Sequence, residues 1–90
     1  MAGGKARPWV TSASYEAAIR QLVAVRKRMG LSQRELAERL GKPRSFVSKV
    51  ENRERRIDLI ELIALARGLG VDPGALVTEI AEAVPDPLEF

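Results

Sequence analysis

The stretch "SQRELAERLGKPRSFVSKVEN", residues 32–52, reads as two short amphipathic helices joined by a turn of about four residues. Ser32 and Glu35 stand three apart, the spacing at which each side chain satisfies an end group of the other's backbone, and Leu31 and Leu36 bracket them as a hydrophobic staple. Leu36, Ala37 and Leu40 then face inward, and Gly41 stops the helix. The second helix begins near Pro43, whose missing N–H is not needed in a first turn, and ends near Asn52. Val47 and Val50 form its inner face and leave Arg44, Ser45, Ser48 and Lys49 outward.

Three further helices surround this pair. One runs from about Ser14, a candidate N-cap, to Met29, with Tyr15, Ala18, Ile19, Leu22, Val25 and Met29 at helical spacing. Arg26, Lys27 and Arg28 load its last turn, where cations suit the macrodipole, and Gly30 ends it. Another starts at Asp58 with Glu61 three residues on, carries Leu59, Leu62, Ile63, Leu65, Ala66 and Leu69, and closes at Gly70. The last is capped by Asp72, with Pro73 in its first turn, and carries Leu76, Val77, Ile80 and Val84. No segment alternates as a strand does. The expectation is an all-α bundle of five helices: a flexible tail over residues 1–13, a domain over 14–84, and a frayed end over 85–90. Trp9 stands out in the first tail, either packing back on the body or meeting a partner.

Ninety residues suffice for one core and not for two. The chain has no cysteine, which suits a reducing cytoplasm, and no histidine, which removes the usual proton shuttle and the commonest metal ligand. No apolar run approaches the roughly 20 residues of a membrane span. With no Gly-rich phosphate loop, no paired carboxylates and no metal constellation, an enzyme is the least favoured class and no cofactor is implied. The net charge of +3 conceals a division: residues 1–56 hold 14 of the 15 Lys/Arg and 5 of the 12 Asp/Glu, a balance of +9, whereas residues 57–90 carry −6. A polyanion would meet the first part and be repelled by the last.

An α-helix fits the DNA major groove, but its exposed face must be held at a fixed height and angle by a helix packed across its back. That close crossing favours a small residue, which Ala37 supplies, and Gly41 supplies the sharp turn. Arg44, Ser45, Ser48 and Lys49 then offer donors suited to base edges. Phe46 reads as mainly structural, although its ring also suits a thymine methyl, and Glu51 reads as a partner for a nearby arginine.

The segments "LSQRELAERLG", "PRSFVSKVEN" and "LIELIALARGLGVDP", taken in order, resemble the helix-turn-helix of the XRE family, the Cro/C1-type regulators that include the lambdoid phage repressors. The resemblance covers roughly Ala18 to Leu76. It implies a lambda-repressor-like DNA-binding domain, with Arg44, Ser45, Ser48 and Lys49 at the base-reading positions. It further implies phosphate contacts from Gln33, Arg34, Lys42, Arg53, Arg55 and Arg56. One position departs from the family pattern: Arg53 stands where a glycine commonly follows the recognition helix, so either Asn52 adopts the left-handed conformation or the helix runs on and the arginine loop sits elsewhere.

The function expected is a sequence-specific, double-stranded DNA-binding transcriptional regulator in the cytoplasm, with an antitoxin-type interaction module as the alternative. One short helix reads few base pairs, so a homodimer on an inverted repeat is expected, with Leu76, Val77, Ile80, Val84, Leu88 and Phe90 as its interface.

Overall fold

The structure, a computed structural model, describes residues 12–90. The expectations for Trp9 and most of the leading tail lie outside those residues. Five helices follow one another: α1 (Ala13–Arg28), α2 (Gln33–Leu40), α3 (Arg44–Glu51), α4 (Leu59–Leu69) and α5 (Pro73–Ala83). No described residue is in a strand, and no helix of the described residues is long and apolar enough to cross a membrane.

Local signals set most of the ends. Ser32–Glu35 and Asp58–Glu61 both form complete capping boxes, and Asp72 caps α5 with Pro73 at its first position. Two ends differ from expectation. The N-cap of α1 is Ser12, whose Oγ accepts from the Tyr15 N–H at 3.1 Å; Ser14 lies inside the helix. Pro43 is the N-cap of α3 rather than its first helical residue, and contributes no side-chain bond there. The chain's end is not a loose tail either. Ser14 Oγ accepts from the Glu89 N–H at 2.8 Å, and the Glu89 carboxylate accepts from the Ala13 N–H at 2.7 Å, an anion placed on the positive end of α1.

One core joins all five helices: Ile19, Leu22 and Val25 from α1, Leu36 and Ala37 from α2, Val47 and Val50 from α3, Leu65, Ala66 and Leu69 from α4, and Leu76 from α5. Ala37 is 1% exposed at the α2–α3 crossing, as its size requires. A second close approach was not read from the sequence. A Cβ on Gly68 would lie 3.0 Å from both Leu36 Cδ1 and Leu40 Cδ2, so glycine lets α4 settle onto α2. The Gly68 carbonyl also accepts from Arg39 Nη1 at 3.0 Å. Three apolar positions expected inside are outside: Met29, Leu59 and Ile63 are exposed. Conversely Leu76, expected at a dimer interface, is only 1% exposed and belongs to the monomer's own core. Helical spacing shows which positions share a face but not which neighbour covers it.

Candidate nucleic-acid interface

The turn from α2 into α3 is made by Gly41, which sits at φ +67°. Lys42 closes it by donating its N–H to the Ala37 carbonyl at 3.0 Å. Val47 and Val50, at 1% and 2% exposure, press the back of α3 into the core. Arg44, Ser45 and Lys49 are left exposed on the opposite side and Ser48 half-buried. Ser48 Oγ donates to the Ser45 carbonyl at 3.2 Å, so it presents lone pairs outward and suits a base amino group.

A buried ionic cluster holds α3 in place. Arg26, on α1, is 8% exposed. It grips Glu51 at the end of α3 through Nε at 2.6 Å and Nη2 at 2.9 Å, and donates Nη1 to the Leu31 carbonyl at 2.8 Å. Gln33, at the start of α2, donates Nε2 to Glu51 Oε1 at 2.8 Å. Three helices are thus tied through one carboxylate, with the fork geometry that suits arginine. Arg26 therefore faces inward, and Arg28 is held by both Glu79 oxygens at 2.8 and 3.0 Å, so among the described residues only Lys27 of that basic run lacks such a tie. Gln33 retains a second amide hydrogen. By helix geometry the N–H groups of Gln33 and Arg34 have no acceptor within α2. Ser32, Gln33 and Arg34 at this end of α2 line, with Arg26 and Arg44, a recess of about 440 Å³, a charge and position suited to a phosphate.

On the far side of α3, Phe46 lies beneath two cations, with Lys42 Nζ 5.8 Å and the Arg55 guanidinium 5.0 Å from its ring centre. Arg55 donates both Nη1 and Nη2 to Glu61, at 2.9 and 3.0 Å. Those bonds, followed by the one from the Asp58 N–H, hold the Glu61 carboxyl below its ordinary range. A carboxylate with a lowered pKa stabilises the fold above its unfolded value, and that contribution is lost as pH falls through the folded value. The melting temperature of the wild type should accordingly fall more steeply than that of Glu61→Gln below about pH 5. Parallel curves from pH 7 to pH 3 would show that the clip adds nothing.

The three arginines after α3 are not equivalent. Arg55 is committed to Phe46 and Glu61. Arg56 lies with its guanidinium 4.3 Å from the centre of the Tyr15 ring, packed toward α1 rather than presented outward. Arg53 takes the left-handed conformation itself, at φ +61°, while Asn52 stays at φ −83°, the reverse of the sequence expectation. Its only ion pair among the described residues is a half-exposed one of 4.0 Å to Glu16. A side chain in this region is strained, so Arg53→Gly is expected to raise stability by about 0.5–1 kcal/mol after the extra chain entropy of glycine. A urea midpoint that rises with unchanged slope would show it; a fall would mean that the arginine's contacts outweigh the strain.

The comparisons with known proteins agree with this geometry. The sequence profile of the helix-turn-helix family matches residues 22–76, from the middle of α1 into α5. A "propionyl-CoA carboxylase regulator" of Cereibacter sphaeroides is 35% identical over an alignment of 76 residues that covers 76% of this chain and 16% of that protein, so the chain spans only a small part of that regulator's length. A structure described as an XRE-family like protein from Pseudomonas syringae pv. tomato matches with a TM-score of 0.74 and 48% identity, over 81% of this chain and 89% of the other. The clp gene regulator ClgR from C. glutamicum matches with a TM-score of 0.72 over 84% and 99% of the two chains, and at 22% identity it shows the shared fold alone. With the profile spanning most of the bundle, and the buried back and basic front of α3 in place, the chain belongs to the helix-turn-helix family of XRE-type, Cro/C1-like DNA-binding regulators.

Proposed function

We propose that this DNA-binding regulator reads an inverted-repeat operator as a homodimer, each copy laying α3 in a major groove, in the cytoplasm at the nucleoid. The observation that carries the reading is the two-sidedness of α3: its valines are sealed in the core, and its cationic and hydroxyl face stands clear beside the open N-terminus of α2. Arg44, Ser45, Ser48 and Lys49 are assigned to base edges. Gln33, Arg34, Lys42 and Arg53 are assigned to phosphates on either flank. Arg55 and Arg56, tied to Glu61 and stacked on Tyr15, are assigned to positioning: Arg55 steadies Phe46 at the edge of α3, and Arg56 joins the loop to α1. The acidic segment beyond residue 57 keeps the remaining surface off the phosphates.

Selection of duplexes from a random library at physiological salt tests the proposal. An enriched inverted repeat supports it. Bulk binding that weakens steeply with salt and enriches no sequence would reject base reading and leave only counterion release.

A further inference from the structure

Residues 41–56 carry α3 and its two flanks, and they hold two acids, Glu51 and Glu54. Glu51 is turned inward and bound by Arg26 and Gln33. Glu54 is exposed, and among the described residues its carboxylate has no ion pair, although Lys42, Lys49 and Arg55 border the same recess of about 560 Å³. Ser45 and Phe46 line that recess too, so the acid stands at the edge of the face that meets DNA. A free carboxylate there repels every phosphate and gains nothing from the DNA backbone, whose phosphates only accept hydrogen bonds. The backbone of the protein fixes the position. Helix α3 ends in a Schellman motif: the Arg53 N–H donates to the Val50 carbonyl at 3.0 Å and the Glu54 N–H to the Lys49 carbonyl at 2.8 Å. The left-handed Arg53 turns the chain back, which holds residue 54 against the last turn of α3. The next residue, Arg55, is locked to Glu61 by two bonds. Lys49 and Glu54 thus present a donor and an acceptor from one fixed corner, and they form no ion pair with each other.

We propose that Glu54 is a specificity-determining residue: its carboxylate accepts a hydrogen bond from the N4 amino group of a cytosine, while Lys49 donates to the guanine of the same base pair. The inference deepens the operator reading and rests on it. In the major groove a G·C pair sets guanine O6, an acceptor, beside cytosine N4, a donor, so a neighbouring ammonium and carboxylate match both halves of one pair. The other base edges fit a carboxylate less well. Guanine and thymine turn only acceptors toward it, and adenine sets its N7 acceptor beside its amino group. Glu54 therefore selects by exclusion as well as by attraction. Wherever no amino group meets it, the contact desolvates an acid and leaves it unpaired. The cations around it carry no such cost, since they gain from the phosphates of any duplex.

Selection from a random duplex library is run with the wild type, Glu54→Gln, Glu54→Ala and Lys49→Ala, and binding to one unselected duplex is titrated beside it. The Glu54 variants keep the backbone N–H that closes the Schellman motif, and unchanged melting temperatures check this. The wild type is expected to enrich cytosine at one position of each half-site. Both Glu54 variants should lose that preference by about tenfold, keep the rest of the motif, and bind the unselected duplex several-fold more tightly. A misfolded variant would not give that gain. Lys49→Ala should relax the same base pair. A motif that Glu54→Gln leaves intact overturns the proposal, even if all duplexes bind more tightly, because the acid would then only repel phosphates. Adenine enriched in place of cytosine overturns it as well, and so does Lys49→Ala acting at a different base pair. A wild type that enriches no sequence would instead sink the operator reading, and the role of Glu54 with it.

Discussion

Glu51→Ala is expected to lower stability by about 3–5 kcal/mol, because it leaves a charged arginine buried without its partner. Arg26 is 8% exposed and has two of its nitrogens on that carboxylate, so losing the acid leaves a mostly buried cation without its counter-charge. The Gln33 bond to the same carboxylate goes with it. A domain of this length has a total stability of about 5–13 kcal/mol, so the loss should appear as a fall in melting temperature on the order of 20 °C. Urea unfolding checks it. Joint replacement, Arg26→Met with Glu51→Leu, should recover most of the loss, because it removes both charges and refills the volume. A Glu51→Ala cost under about 1 kcal/mol would mean that Arg26 swings out to water, and that packing alone, not this tie, holds α3. The variant should also bind DNA less well in every sequence context, since the carboxylate joins α1, α2 and α3 behind the reading face.

Arg44→Ala is expected to cost about 1–3 kcal/mol per half-site and to relax selection at one symmetric pair of base positions. Arg44 is exposed in the first turn of α3 and lines the same recess as Gln33 and Arg34 of α2. That position lets it approach a base edge while Gln33 and Arg34 fix the height of the helix on the phosphates. Arg34→Ala is the comparison. It should weaken all duplexes alike and reduce the salt dependence by about one contact per copy. Binding titrations at several salt concentrations, paired with library selection, separate the two outcomes. Uniform weakening by both substitutions would move Arg44 into the phosphate set and leave sequence reading to Ser45, Ser48 and Lys49.

The assignment of arginines shows how far a linear reading reaches. Arg53, Arg55 and Arg56 stand together as a basic run, and the run alone gives each the same prospect of meeting a phosphate. Folding divides them. Glu61, six residues on, takes Arg55; Tyr15, on another helix, takes Arg56; the backbone places Arg53 at a positive φ. The acid on Glu51 was legible as a partner for an arginine, but which of Arg26, Lys27 and Arg28 it would meet depended on the rotation of α1. That rotation sends Arg26 inward and Arg28 toward Glu79. Similarly, Ser12 and Ser14 are both good capping residues, and the choice between them goes with Ser14 being engaged by Glu89 from the far end of the chain.

By itself the sequence determined the five helices, the glycine turn between α2 and α3, and the chemistry displayed on α3. These follow from signals that act within about one turn of the chain: capping side chains, proline and glycine dihedrals, and the 3.6-residue period of apolar side chains. Only the tertiary structure decided which apolar stripes found a cover and which cations stayed free. Burial and ion pairing depend on neighbours remote along the chain, as Arg26 and Glu51 are, or Leu36 and Gly68. That is why Leu76 became core while Leu59 and Ile60 remained open, although all three look alike as residues on amphipathic helices.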